Sequence, residues 1–154
     1  MINTSEEMHV VVFKLGTDEY CVPVTQAKEI QIYQNPTRIP NTPHFVEGVI
    51  NLRGQIIPIL DLKKRFNSGE TVITAATKII IIEMNKEMLG IIVDSVSEVL
   101  KTPQNKFEPP PQAVKTSINS NYISGIGKID NRLLILIDLE KVLNDEEVML
   151  LGAI

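Results

Sequence analysis

Few side chains in this sequence combine a reactive type with a setting that could do chemistry. His9 and His44 are the only histidines; one opens an apolar run and the other lies in a proline loop. Their spacing matches no metal-ligand motif, and a surface or loop histidine is the ordinary reading of each. Cys21 is the only cysteine. A reactive thiol needs a base or a positive neighbour, and Tyr20 and Val22 supply neither, so a small buried hydrophobe is expected there. Asp61, Asp94 and Asp138 could be offered as acid and base. Asp61 and Asp138, however, stand before Leu-Lys-Lys and Leu-Glu-Lys, where an N-cap and first helical turn fit better. The glycines form no phosphate-binding string, and no serine or threonine sits in a nucleophile elbow. The expectation is no catalytic residue, no metal and no cofactor.

That leaves Glu29 and Arg53. Arg53 stands at the apparent tip of an otherwise apolar hairpin, VEGVINLRGQIIPILDL (46–62). An exposed turn tolerates any polar residue, and an exposed ion pair is worth only ~0–1 kcal/mol. Arginine beside apolar side chains is equally a usual interface anchor, with a stem to bury and a planar donor fork for a partner. The residues alone leave both readings open.

The elements that would position these side chains come as a duplication. GVINLRGQIIPILDLKKRF (48–66) aligns without a gap on GIGKIDNRLLILIDLEKVL (125–143), an offset of 77. Upstream, HVVVFKLGTDEYCVPVTQAKEI (9–30) aligns on KIIIIEMNKEMLGIIVDSVSEV (78–99), an offset of 69. Glu29 falls on Glu98, but Arg53 falls on Asp130. If Glu29 and Arg53 meet in the first half, the second half is expected to lack the pair.

Each half reads as a hairpin, a short strand (Ala27–Tyr33 or Val96–Lys101), a proline-punctuated loop, and a second hairpin. The second hairpins have two-residue tips at Arg53-Gly54 and Asp130-Asn131, types that include good acceptors of positive φ. Pro58 cannot donate to a ladder and is expected at an edge or bulge. Five short strands in each half can close into a small barrel, which removes exposed edges. A unit of that size buries too little surface alone, so the two should pack together. The fold class expected is all-β: two tandem five-stranded SH3-like β-barrels packed on each other, with a short C-terminal helix. One domain should span 8–151. Its sub-barrels fall near 16–76 and 77–143, strand 9–15 is free to cross between them, and the terminal helix covers 144–151. Asn144 and Glu147 would cap that helix as a capping box.

Composition narrows the partners. The chain has 154 residues, 44% hydrophobic and 5% aromatic, no Trp, and a net charge of −4. Nucleic-acid affinity rests on a dense basic surface and stacking aromatics, neither of which is here. No apolar run approaches the ~20 residues that span a bilayer, and MINTSEEMH lacks the features of a signal peptide. A lone cysteine excludes an intrachain disulfide and suits a reducing compartment. A cytoplasmic protein is expected, with no nucleic-acid partner and no membrane insertion.

The strings EYCVPVTQAKEI, RIPNTPHFVE, GVINLRGQIIPILDLKKRF, GIIVDSVSEVL, EPPP and YISGIGKIDNRLLILIDLEKVL, with the NDEE tail, resemble in order the CheW-like domain family of bacterial chemotaxis. The match runs from about Met8 to Leu151. Because no sequence remains for phosphotransfer, kinase or receiver domains, the resemblance implies a stand-alone adaptor. It implies a non-catalytic protein that joins the cytoplasmic hairpin tips of methyl-accepting chemoreceptors to the regulatory domain of the histidine kinase CheA. It also implies a place at receptor arrays beneath the inner membrane. A scaffold in another two-component pathway, or a small carboxylate-dependent enzyme, are the alternatives. Carried over position by position, the receptor-binding groove between the barrels comprises Ala27, Glu29, Ile30, Arg53, Gly54 and Val99. The kinase-facing residues are unknown beyond a rough placement at the outer barrel ends. Ala27 departs from the larger apolar residue usual in the family, and Cys21 stands where glycine is frequent.

Overall fold

The run Ile79-Ile80-Ile81-Ile82 has no polar alternation, so a strand built from it must bury both faces. In the computed structural model, which describes residues 6–84, 86–111, 122–143 and 147, it does. Ile79 and Ile81 enter one apolar cluster, with Ile50, Leu52, Ile57, Ile59 and Ile92. Ile80 and Ile82 enter a second, larger one.

The strands are β1 (Glu7–Leu15), β2 (Asp18–Pro23), β3 (Ala27–Ile32), β4 (Val46–Leu52), β5 (Gln55–Asp61), β6 (Lys78–Met84), β7 (Glu87–Val93), β8 (Ser95–Pro103), β9 (Phe107–Glu108), β10 (Ile123–Ile129) and β11 (Arg132–Ile137). They form two sheets, ordered β3-β6-β7-β5-β4 and β8-β1-β2-β11-β10-β9. Under the alignment of the two halves these orders are the same, down to one parallel pairing in each: β5 with β7 and β11 with β2. The two-residue β9 adds a sixth strand to the second sheet; its counterpart in the first is the single bridge Thr37–Val49.

The partition differs from the expected 16–76 and 77–143. The whole hairpin β1–β2 pairs with β8 and β11, and the whole hairpin β6–β7 pairs with β3 and β5. Strand 9–15 therefore crosses together with β2. The first barrel is the continuous stretch from β3 to β7, and the second joins β8–β11 to β1–β2. Either hairpin presents the same apolar pattern, so the connections decide which sheet it enters.

Three apolar layers result. Val10, Val12, Cys21 and Leu134 fill the second barrel. The isoleucine cluster fills the first. Between them Val11, Phe13, Val22, Leu60, Ile80, Ile82, Ile91 and Ile137 form a shared core along the seam. The two barrel interiors balance volume differently. Positions 10, 12 and 21 are Val, Val and Cys, whereas their equivalents 79, 81 and 90 are Ile, Ile and Gly. A Cβ on Gly90 would stand 2.7 Å from Ile59 Cδ1 and 2.9 Å from Ile79 Cγ2, so the larger isoleucines occupy the room that a side chain would take. Aromatic rings continue the seam: Tyr20 lies 5.8 Å from Phe66, which stacks on Tyr122 at 4.3 Å.

Pro58 is not at an edge or a bulge, because β5 lies between β4 and β7. It pairs with Val49, whose own N–H and C=O are both spent on Thr37, while the parallel pairing of β5 with β7 begins only at Ile59. The missing N–H thus falls where no ladder bond is due. The expected turn after Asp61 is present as α1 (Leu62–Arg65), with the Asp61 side chain accepting from Lys63 N–H. Of the expected helix 144–151, all but Glu147 lie outside the described residues.

Candidate functional site

β3 is an edge strand of the first sheet, and β4 is the other edge. Glu29 on β3 and Arg53 at the β4–β5 turn bridge these edges with two parallel hydrogen bonds. Nη1 donates to Oε1 at 3.0 Å and Nη2 to Oε2 at 2.8 Å. Gln31 Nε2 also donates to Glu29 Oε1, at 2.8 Å. The Arg53 bond, followed by that from Gln31, holds the Glu29 carboxyl down to about 2. The same bond raises the Arg53 guanidinium above its ordinary value.

The turn itself is fixed. Arg53 and Gly54 both have positive φ, 52° and 86°, the pattern of a type I′ hairpin turn, and Asn51 Oδ1 accepts from Gly54 N–H at 2.8 Å. An arginine in this left-handed region is disfavoured by roughly 1–2 kcal/mol relative to a right-handed one. The turn geometry and the bidentate pair hold it there, with its side chain 68% exposed against 32% for Glu29.

The other expected groove residues fall into register with the seam. Ile30 pairs with Ile80 across β3–β6, and Ala27 with Ile82; both isoleucines point into the shared core. Directly opposed antiparallel residues share a face, so Ala27 and Ile30 face the seam. Val99 pairs with Val11 across β8–β1, and Val11 also lies in the shared core. Ile30 is 40% exposed and Val99 58%. They are equivalent positions on the edge strands of the two sheets, both turned toward the line where the barrels meet. Each edge strand bulges before its glutamate, at Lys28 and Ser97. The structure thus joins Glu29, Arg53 and Gly54 directly, sets Ala27 and Ile30 beside them, and places Val99 on the other sheet.

The expectation that the second barrel lacks the ion pair is overturned. Arg132 Nη2 donates to Glu98 Oε1. Arg132 occupies the position equivalent to Gln55, so the arginine has moved two residues from the tip into the strand. The signal stands in the gapless alignment two columns beyond Arg53, where Gln55 meets Arg132.

The residues considered for catalysis are engaged elsewhere. Asp61 accepts from Lys63 N–H and from Thr71 N–H and Oγ1. Asp138 accepts from Glu140 N–H and Gln26 Nε2. Asp94 accepts from Gly16 N–H at 2.6 Å and pairs with Lys63. Cys21 is fully buried, and burial pushes its thiol up to about 12. Among the described residues no cluster of three or more His, Cys, Asp or Glu could hold a metal, and no helix is long and apolar enough to cross a membrane.

A family model for the CheW-like domain matches residues 9–147. The chain belongs to the CheW-like domain family. Among CheW relatives, the chemotaxis protein CheW of Bacillus subtilis is 41% identical over 145 residues, covering 94% of this chain and 91% of its own. That of Klebsiella aerogenes is 39% identical over 140 residues, covering 91% and 84%. A crystal structure of the scaffolding protein TtCheW from Thermoanaerobacter tengcongensis superposes with a TM-score of 0.83 at 38% identity, covering 92% of this chain and 91% of that one. The CheW-like fold accords with the two tandem SH3-like barrels expected from the sequence.

Proposed function

We propose that this chain is a non-catalytic adaptor of bacterial chemotaxis, holding chemoreceptor cytoplasmic tips and the regulatory domain of the histidine kinase CheA in one complex. Its place is then the cytoplasm, at receptor arrays beneath the inner membrane. The receptor dock is the groove along the barrel seam, formed by Ala27, Glu29, Ile30, Arg53, Gly54 and Val99.

The observation that carries this reading is the Glu29–Arg53 clasp. It holds an exposed guanidinium rigidly, in an unfavourable backbone conformation, beside an edge strand that turns Ile30 toward the seam. A groove lined by β-branched side chains accepts the apolar face of an amphipathic helix. A charged rim fixes its register and excludes wrong partners more than it adds affinity. Signal passage then requires no bond making in this chain, only rigid barrels and interfaces that can rearrange.

The test is reconstitution of the full chain with a receptor cytoplasmic fragment and CheA. The reading expects a ternary complex with raised kinase activity, and an Arg53→Glu chain that still binds CheA but couples it poorly to the receptor. A chain that binds neither protein would refute it.

A further inference from the structure

A groove made by duplication has a problem of direction. Ile30 and Val99 are equivalent and face the seam from the edge strands β3 and β8. Each follows an equivalent bulge and glutamate, Lys28 and Glu29 or Ser97 and Glu98, so two like rims flank the seam. A helix laid in such a groove meets similar apolar surfaces whichever way it runs, because the rims differ only as Ile30 from Val99 and Ala27 from Val96. Charge separates the two directions more sharply.

The rims differ in charge. The first carries the guanidinium of Arg53 on the single carboxylate of Glu29, with Gln55 and Met88 at the neighbouring positions. The second sets Arg132 among three carboxylates. Glu98 accepts from it, Glu19 Oε1 stands 3.8 Å from its Nε, and Asp130 acts on the same guanidinium. The equivalents are Arg53 for Asp130, Gln55 for Arg132 and Met88 for Glu19. One rim therefore ends in an exposed cation and is balanced overall; the other ends in an exposed anion and is net acidic.

We infer that this charge difference orients the docked helix: one amphipathic helix lies along the seam with an acidic side chain at the Arg53 rim and a basic one at the Asp130 rim. The inference rests on the receptor-groove reading above and adds the direction of the helix and the chemistry of its two ends. Reversing the helix would bring like charges together at both rims, the arrangement that specific interfaces use to reject a wrong pose.

The test exchanges the two turn tips in the full chain, Arg53→Asp with Asp130→Arg. Both positions are exposed and have positive φ, so each turn receives a residue the other already holds. A receptor-tip fragment carrying a nitroxide near one end of its docking helix is added to the isotope-labelled chain, and paramagnetic broadening is compared on β3 and β8. The natural chain should show broadening on one edge strand at least about fivefold stronger than on the other, a difference of about 1 kcal/mol in pose. The exchanged chain should reverse that preference. Equal broadening on both strands of the natural chain, or an unchanged preference after exchange, would overturn the orientation while leaving the dock in place. No broadening on either strand would overturn the dock and the orientation with it.

Discussion

Glu29 and Arg53 join the two edges of one sheet. One lies on β3 and the other at the turn leaving β4, and their bidentate pair ties the first barrel across its open edge. In the second barrel Glu98, on the edge strand β8, accepts a single bond from Arg132 at the start of the inner strand β11. The side chains that close the barrel are thus the ones proposed to dock the receptor, and stability and binding measured together separate the two contributions.

Arg53→Gly should leave the melting temperature within a few degrees of the natural chain. It loses an exposed, solvent-screened ion pair and relieves a left-handed non-glycine residue, and these small effects oppose each other. Receptor binding should nevertheless fall by about fivefold or more, as for an anchor worth over ~1 kcal/mol. Thermal unfolding and a binding isotherm on the same sample check both halves; a collapsed fold would make Arg53 structural.

Glu29 should titrate near about 2, well below an ordinary glutamate at 4.5. A carboxyl depressed in the folded state stabilises above its unfolded pKa, and that contribution fades as pH falls from there through the folded value. The clasp should thus persist at pH 4 and open only near pH 2. Carboxyl-carbon NMR follows this directly, and Arg53→Ala should return the midpoint toward that of an ordinary glutamate.

Gly48→Ala should be far more destructive than Gly125→Ala, although the two are equivalent. A Cβ on Gly48 would stand 2.1 Å from Thr37 O, at φ +142°, whereas one on Gly125 would stand 3.0 Å from Glu108 O. The first should cost more than ~3 kcal/mol and the second about 1 kcal/mol, read by denaturant unfolding. Equal losses would contradict the closer approach of the Thr37 backbone to Gly48.

Much of this was legible in the sequence because the duplication repeats both patterns and turns. Asp61 and Asp138 could be read as caps from their neighbours, and the tips at Arg53-Gly54 and Asp130-Asn131 from their residue types. The exchange of hairpins could not be read. β1–β2 and β6–β7 carry the same apolar pattern, so either satisfies either sheet, and only the short links across the seam choose. Pro58 misled because its ladder partners depend on where β7 begins to pair, a tertiary fact. The Glu98–Arg132 clasp was hidden because the arginine moved along the hairpin while its partner stayed.

Cys21 should resist thiol reagents at pH 8 in the folded chain. Burial pushes its thiol up to about 12, so the reactive thiolate is scarce as well as inaccessible. Labelling followed by mass spectrometry should track global unfolding in denaturant; rapid labelling without denaturant would show that the second barrel opens.

The central claim is that the seam is the dock, and chemical-shift mapping tests it most directly. On adding a receptor hairpin fragment to the labelled full chain, the account predicts changes concentrated at Ala27, Ile30, Arg53 and Gly54 on one rim and at Val99 on the other. Changes confined to the outer barrel ends, with β3 and β8 unmoved, would contradict it.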